Sequence, residues 1–242
     1  MIIKGVHSPP FLMDMLENEL IKFLEKFVSE RRIELFDRVL EKRTRYISVL
    51  LEDIYQPHNA SAVLRTCDCF GIQDVNIIEN RNKYDVNPDV SLGSDKWLTL
   101  NKFNEADNNT AEAFRRLREK GYRIVATSPH KGKEMDPGEF NIEKGKAALV
   151  FGTEMQGLSK EAIDNADEYL RIPMYGFTES FNISVSAAII IYDLVRRLHK
   201  SDIPWQLSEQ EKSKIKLDWL KKTIKRSDLL EKKFMDTIKW QK

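Results

Sequence analysis

The stretch YISVLLEDIYQPHNASAVLRT, residues 46–66, decides the fold class of this chain. Residues 46–54 form a continuous run of mostly apolar and β-branched side chains, which is typical of a buried parallel strand. Pro57 ends the run, and Asn59 or Ser61 can cap a helix that is expected to continue to about Phe70. A strand that leads directly into a helix is the unit from which parallel sheets are built.

The same alternation continues along the chain beyond this stretch. The pattern predicts further elements, namely strands at 74–79, 122–127, 147–151 and 169–172 and helices at 110–120 and 184–198. Strands that alternate with helices predict an α/β fold, in which helices cover both faces of a parallel sheet. A Rossmann-type dehydrogenase is disfavoured, because the segment after the first strand contains Pro57-His58-Asn59 instead of a Gly-x-Gly-x-x-Gly motif.

Both ends of the chain read as helical. Apolar residues recur at intervals of three and four over residues 11–43, and two further helices are predicted at 208–224 and 227–240. We therefore expect three parts, which are a helical N-terminal extension at 1–45, an α/β domain at 46–199 and a basic helical C-terminal extension at 200–242.

The excess of basic over acidic side chains is concentrated in these extensions. The net charge is +1, but residues 31–45 carry six basic against three acidic side chains, and residues 200–242 carry twelve against seven. Such basic appendages can dock on nucleic-acid phosphates, whereas Lys-rich surface helices can equally be solvated, so charge alone leaves both interpretations open. The sequence contains no apolar run of the ~18 residues that a bilayer span requires and no signal peptide, so we expect a cytoplasmic protein.

Three motifs with chemistry-bearing side chains follow one another at predicted strand ends. The first runs from Asn59 to Arg65, the second is Phe-Gly-Thr-Glu-Met-Gln-Gly-Leu-Ser at 151–159, and the third joins Ile-Pro-Met at 172–174 to Ser-Phe-Asn-Ile-Ser-Val-Ser at 180–186. In open α/β sheets, ligands bind in the crevice outside the carboxyl ends of the strands. In order and spacing, the three motifs resemble those of the SpoU or TrmH family of SPOUT RNA methyltransferases, over roughly residues 46–199.

This resemblance implies a deep trefoil knot in the C-terminal part of the α/β domain, and a set of site residues. Arg65 would be the key catalytic residue, as a base or as an electrostatic stabiliser, and the catalytic set would comprise Arg65, Asn59, Glu154, Ser180 and Asn182. The knotted loops would bind S-adenosyl-L-methionine through Thr127, Ser128, Phe151, Gly152, Gly157, Ile172, Met174 and Phe181. No metal ion is required for the reaction, and none is expected.

The resemblance also implies partners. RNA would be gripped by arginines outside the motifs, namely Arg31, Arg32, Arg38, Arg43 and Arg196. A second basic residue is expected two positions after Arg196, but Leu198 stands there, which weakens the transfer of that role. The active site would form across a homodimer, with Arg65 of one subunit facing the cofactor of the other. Val185, Ile189 and Tyr192 on the last long helix would form the dimer surface or, equally, belong to the core.

The expected function is that of an S-adenosylmethionine-dependent RNA 2′-O-ribose methyltransferase. The helical N-terminus favours tRNA, with guanosine 18 of the D-loop as the methyl acceptor, because related ribosomal RNA enzymes commonly carry a strand-built N-terminal domain instead. A 23S ribosomal RNA 2′-O-methyltransferase is the main alternative. A non-catalytic RNA-binding protein of the same fold is a further one, and the presence of Asn59, Arg65 and Asn182 argues against it.

Overall fold

The computed structural model describes residues 10–84, 87–127, 134–153 and 156–239. Two of the predicted site residues, Ser128 and Glu154, lie outside the described residues. The chain divides into two compact units, one formed by Met1–Lys42 with Leu207–Lys242 and the other by Arg43–Gln206. Among the helices in the described ranges, none combines the length and the hydrophobicity that crossing a membrane requires.

Helices and strands alternate through the larger unit. Its strands are β1 (Ile47–Glu52), β2 (Asp74–Ile78), β3 (Thr99–Phe103), β4 (Arg123–Thr127), β5 (Ala147–Phe151) and β6 (Glu168–Leu170). Its helices are α3 (Pro57–Cys69), α4 (Pro88–Ser91), α5 (Asn109–Glu119), α6 (Lys160–Asp164) and α7 (Ile183–Leu198). The smaller unit contains α1 (Pro10–Glu25), α2 (Glu30–Leu40), α8 (Glu209–Thr223) and α9 (Ser227–Lys239).

The six strands form one parallel sheet in the order β3-β2-β1-β5-β4-β6. Every residue of β1 and of β5 is buried, since these strands lie at the centre and are covered on both faces. One face packs against α3 and α7, whose apolar side chains join the largest cluster of buried residues, and the other face packs against α5 and α6. The sequence-based prediction of a parallel α/β sheet is confirmed.

The smaller unit has its own apolar core. Phe36 of α2 meets Trp219 of α8 with ring centroids 5.4 Å apart, and Phe23 of α1 meets Phe234 of α9 at the same distance. Lys216 of α8 forms ion pairs of 2.7 Å with both Glu25 and Asp37, which link α8 to α1 and α2.

Three elements differ from the sequence-based expectation, one of them being the short helix α4 (Pro88–Ser91), which was not predicted. The predicted helix at 11–43 is two helices, because the chain is extended at Ser29 (φ −66°, ψ 145°) before α2 begins. Strand β3 was not predicted; as an edge strand with mostly half-buried and exposed residues, it lacks the continuous apolar run that marks β1 and β5.

Arg43 is among the largest fully buried side chains, although it is predicted to grip RNA. Its guanidinium donates to the carboxylate of Asp68 on α3 and, at 3.2 Å, to the carbonyl oxygen of Ile72. A guanidinium that is 2% exposed and paired inside the protein cannot reach a nucleic-acid phosphate. Arg43 is therefore a structural residue, and the expectation of RNA contact at this position is corrected.

The buried pair predicts a large loss of stability in Asp68→Asn. Removing the carboxylate charge leaves the guanidinium of Arg43 without its counter-charge in the interior, which costs about 3 kcal/mol of unfolding free energy. Denaturant unfolding of the variant measures this loss. Glu119→Gln is the control, because the ion pair of Glu119 with Arg115 lies at the surface and its removal is expected to leave the midpoint unchanged. Equal midpoints for the two variants would contradict this account.

Candidate active site

A cavity of about 300 Å³ lies at the carboxyl ends of β4, β5 and β6. Three segments contribute to its wall: the end of β4 with Thr127, the loop that follows β5, and the chain between β6 and α7. Seven of the eight residues predicted to bind the cofactor line this one cavity, namely Thr127, Phe151, Gly152, Gly157, Ile172, Met174 and Phe181. Ser180, predicted as catalytic, lines it as well.

The loop after β5 is closed by a contact between two backbone segments. The N–H of Thr153 donates to the carbonyl of Gly157 at 3.0 Å, and the N–H of Gly157 donates back to the carbonyl of Thr153 at 2.9 Å. A Cβ atom on Gly152 would lie 2.2 Å from the carbonyl oxygen of Gly157, so only glycine permits this approach. Gly157 itself has φ +69°, a left-handed conformation that favours glycine.

The carboxylate of Glu52 fixes the end of this loop, a role that sequence reasoning did not identify. Oε1 accepts a hydrogen bond from the hydroxyl of Ser159 at 2.7 Å, and Oε2 accepts one from the N–H of Ser159 at 2.8 Å. Oε1 also accepts from the hydroxyl of Thr110 on α5 at 2.6 Å. The available signal was an acidic residue at the end of a mostly apolar strand.

The first and third motifs meet through their asparagines. The side-chain amide of Asn182 donates to the side-chain oxygen of Asn59 at 3.1 Å, across 123 positions of sequence. Asn59 does not cap α3, which begins at Pro57 after Gln56; instead, its amide donates to the side chain of Gln56 at 3.1 Å. Asn182 does cap α7, because its side-chain oxygen accepts from the N–H of Ser184 at 2.9 Å.

Arg65 lies apart from the cavity of its own chain. Its side chain is exposed on α3, is not part of the cavity wall, and makes no hydrogen bond or ion pair with any described residue. Asn59, on the same helix, is 5% exposed. Within one subunit, Asn59 is therefore buried, whereas Arg65 lies at the surface.

The outer face of α7 carries an apolar stripe formed by Val185, Ile189 and Tyr192. These side chains are 43%, 38% and 55% exposed, so they do not belong to the core of the chain. The sequence left open whether these residues form a dimer surface or belong to the core, and their exposure excludes the core.

The remaining predicted RNA contacts are at the surface. Arg31, Arg32 and Arg38 are exposed on α2. Arg196 is exposed on α7, with its guanidinium 3.8 Å from the carboxylate of Asp193. The neighbouring Arg197 is structural, because it donates to the backbone carbonyls of Phe140 and Pro137 as well as to Asp193.

Nothing in the described part of the chain resembles a metal site. No group of three His, Cys, Asp or Glu side chains within the described ranges could hold an ion. Cys67 is fully buried on α3, and burial raises the pKa of its thiol, which keeps it protonated.

Comparison with known proteins identifies relatives over most of the chain. The model of the SpoU rRNA Methylase family matches residues 46–192. A Borreliella burgdorferi protein named tRNA (guanosine(18)-2′-O)-methyltransferase is 44% identical over 215 residues, covering 87% of this chain and 94% of that protein. The crystal structure of the A. aeolicus TrmH/SpoU tRNA modifying enzyme aligns with a TM-score of 0.70 at 34% identity, over 81% of this chain and 98% of that chain.

A further solved structure shares the fold. The SpoU methyltransferase AviRb from Streptomyces viridochromogenes, in complex with the cofactor AdoMet, aligns with a TM-score of 0.55 at 22% identity. The alignment covers 68% of this chain and 62% of that chain, and at this identity it shows a likeness of fold.

The close backbone approach predicts that Gly152→Ala disrupts the loop between β5 and α6. The new methyl group would overlap the carbonyl of Gly157, so the hydrogen bonds between Thr153 and Gly157 cannot both form. We expect faster amide hydrogen exchange at Gly157 and a lower melting temperature. Gly176→Ala is the matched control in the chain between β6 and α7, because a Cβ there meets no atom within 4 Å. Protection at Gly157 that survives Gly152→Ala would contradict the assigned contact.

Proposed function

The chain belongs to the SpoU rRNA Methylase family, and on that premise we propose that it methylates a ribose 2′-hydroxyl of tRNA, with S-adenosyl-L-methionine as methyl donor. The observation that carries the proposal is the convergence of seven predicted donor-binding residues on one cavity. The 44% identical Borreliella relative is named for guanosine 18 of tRNA, and this chain spans 94% of it, which supports that nucleotide as the acceptor. The proposed reaction takes place in the cytoplasm.

The cavity fits the methyl donor in size and chemistry. A volume of about 300 Å³ is at the lower end of the range of small-molecule sites. Phe151, Ile172, Met174 and Phe181 supply apolar walls, while Gly152 and Gly157 leave backbone accessible. The hydroxyl of Thr127 already donates to the carbonyl of Val150 at 2.8 Å, so the donor would be held largely by main chain and apolar contacts. Ser128 and Glu154 remain part of the proposed site.

The donor supplies a methyl group on a positively charged sulfur, and the protein supplies position and charge. A guanidinium is treated as permanently protonated in proteins, which favours electrostatic stabilisation by Arg65 over a role as base. Arg65 would bind an RNA phosphate through its planar fork and stabilise negative charge that develops on the 2′-oxygen. Ser180 and the hydrogen-bonded pair of Asn59 and Asn182 would orient the acceptor beside the cavity.

We further propose that the active site is shared between two copies of the chain. Arg65 does not line the cavity of its own subunit, so a second subunit is the source of the guanidinium at each site. The exposed stripe of Val185, Ile189 and Tyr192 is suited to a two-fold interface, in which the same surface of both copies is buried.

The chain topology and the surface arginines complete the proposal. We propose that the chain between β6 and α7 passes through an earlier loop to form a trefoil knot, which would hold the two cavity-lining loops together. RNA would be bound by Arg31, Arg32 and Arg38 of the proposed N-terminal extension (1–45) and by Arg196 of the proposed catalytic domain (46–199), all of which are exposed, and residues 200–242 would form the basic C-terminal extension.

The test of the function is transfer of a labelled methyl group to unmodified tRNA. We expect label on tRNA, and no label on a tRNA with 2′-deoxyguanosine at position 18, since the acceptor oxygen is then missing. Arg65→Ala should lower the rate by at least about 100-fold, which is typical for removal of one charge-stabilising group. Arg65→Lys should fail as well, because lysine lacks the planar fork. Arg115→Ala, an exposed arginine of α5, is the control and should transfer normally.

The outcomes separate the alternatives. Label on ribosomal RNA alone would support the proposed methyl transfer but contradict tRNA as the substrate. This outcome is relevant because the matching family model is described as an rRNA methylase. Binding of the RNA with no label on either RNA would support a non-catalytic RNA-binding protein of the same fold. Near-normal turnover by Arg65→Lys would contradict the proposed role of the guanidinium.

The shared site predicts that Ile189→Asp yields a folded monomer without methyl transfer. A carboxylate in the stripe must be desolvated when two copies associate, so the dimer is lost together with the arginine of the second subunit. Sedimentation equilibrium measures the association. Leu229→Asp, which alters an exposed leucine of α9, is the control and should remain dimeric. A wild-type monomer that is fully active would refute the shared site.

A further inference from the structure

We propose that Glu52 is a positioning residue, whose buried carboxylate holds the loop after β5 in the conformation that binds the methyl donor. The inference rests on the proposed function, since it assigns a task to a residue outside the donor cavity. Glu52 does not line the cavity and is 2% exposed, so it would act through Ser159 rather than on the donor itself.

The surroundings of Glu52 are built to receive a carboxylate. Three donors converge on its two oxygens, namely the hydroxyl of Thr110 and both the hydroxyl and the N–H of Ser159, at distances of 2.6–2.8 Å. No cationic side chain in the described ranges pairs with it, so these hydrogen bonds are what offset the cost of burying the charge. A methionine at this position has a similar length but only a weakly accepting sulfur, whereas a glutamine could keep all three contacts, because its oxygen can accept from the N–H of Ser159 while its NH₂ group donates to the two hydroxyls.

The position of Glu52 explains why this anchoring matters for the cavity. The loop begins at Gly152, directly after Phe151, which is paired with Leu51 of β1 across the sheet. The loop ends at Ser159, directly after Gly157 and Leu158, which line the cavity. Leu51 and Glu52, the last two residues of β1, therefore hold the two ends of the loop. Leu51 pairs with Phe151 just before the loop begins, and the carboxylate of Glu52 binds Ser159 where it ends.

The described part of the loop, residues 152–153 and 156–159, is held at both ends without a ligand. Between these ends, Gly152 lies so close to the backbone of Gly157 that a Cβ atom on it would be 2.2 Å from the carbonyl oxygen. A binding loop that is ordered in advance does not lose conformational entropy when the ligand arrives, so its affinity is higher. Without the hydrogen bonds to Ser159, the loop would lose conformational entropy when the methyl donor binds, so the affinity for the donor would be lower.

The two partners of Glu52 allow this role to be separated from a general contribution to stability. Thr110 lies on α5, which contributes no residue to the cavity wall, whereas Ser159 ends the loop that forms part of it. The contact with Thr110 therefore joins β1 to α5, and the contacts with Ser159 join β1 to the loop. Thr110→Val removes the first contact and leaves the second, so it is the matched control.

The experiment compares wild type, Glu52→Met and Thr110→Val by calorimetric titration with S-adenosylhomocysteine and by amide hydrogen exchange without ligand. For Glu52→Met we expect faster exchange at residues 156–159 and a dissociation constant raised about tenfold or more, the usual size of a lost hydrogen bond to a charged group. The affinity for tRNA should be unchanged. For Thr110→Val we expect a lower melting temperature with an unchanged dissociation constant.

Each outcome decides the inference. A folded Glu52→Met protein with wild-type affinity for S-adenosylhomocysteine would overturn it, and so would an equal loss of affinity in Thr110→Val. If Glu52→Met does not fold, Glu52→Asp replaces it, because this variant keeps the charge but its carboxylate ends one carbon short; Ser159→Ala is unsuitable, since the hydroxyl of Ser159 also accepts from the N–H of Ala162 and caps α6. Weaker binding in Glu52→Asp than in Thr110→Val then supports the inference, and equal binding overturns it. Failure of the wild type to bind the probe would contradict the proposed function itself.

Discussion

The parallel pairing of β1 with β5 is the constraint on which the candidate site depends. Both strands are buried along their full length, so their direction and register are fixed by the core on either side. Because the strands are parallel, their carboxyl ends emerge side by side, and the chain must leave the sheet there through loops. Glu52 and Gly152 are the residues directly after the last pair of this ladder, which is Leu51 with Phe151. Glu52 has a buried carboxylate, and Gly152 is a glycine that no other residue can replace without a clash.

Two segments of the cavity wall have a backbone whose course is fixed by neighbouring groups. The turn from Thr153 to Gly157 is closed by two backbone hydrogen bonds, and Ser159 is held by Glu52. On the other side, the N–H of Arg171 donates to the carbonyl of Met135 at 3.1 Å, which fixes the start of the chain that leads to α7. The wall combines this backbone and apolar side chains with polar side chains that include Arg171, Glu179 and Ser180, which suits a ligand that has both apolar and polar groups.

The sequence predicted what depends on local pattern. The buried strands and the long helix α7 could be predicted, because apolar runs and turn residues are local signals, whereas the convergence of the second and third motifs on one cavity was expected from the resemblance to the family. Strand β3 could not, since an edge strand is defined by its neighbour β2 rather than by its own composition. Arg43 and Glu52 were missed for a related reason: whether a charged side chain is exposed or paired inside depends on Asp68 and Ser159, which are distant in sequence.

The geometry of α3 carries the argument for a second subunit. Asn59 and Arg65 are six residues apart, which separates them by about 120° around a helix. One of these directions faces the start of α7, where Asn59 meets Asn182, and in the other direction Arg65 is exposed. Arg65 does not line the cavity of its own subunit, and buried residues on the inner face of α3 hold the helix in place. Helix α3 can therefore contact the start of α7 in its own subunit through Asn59 and, in the proposed dimer, present Arg65 to the active site of the partner.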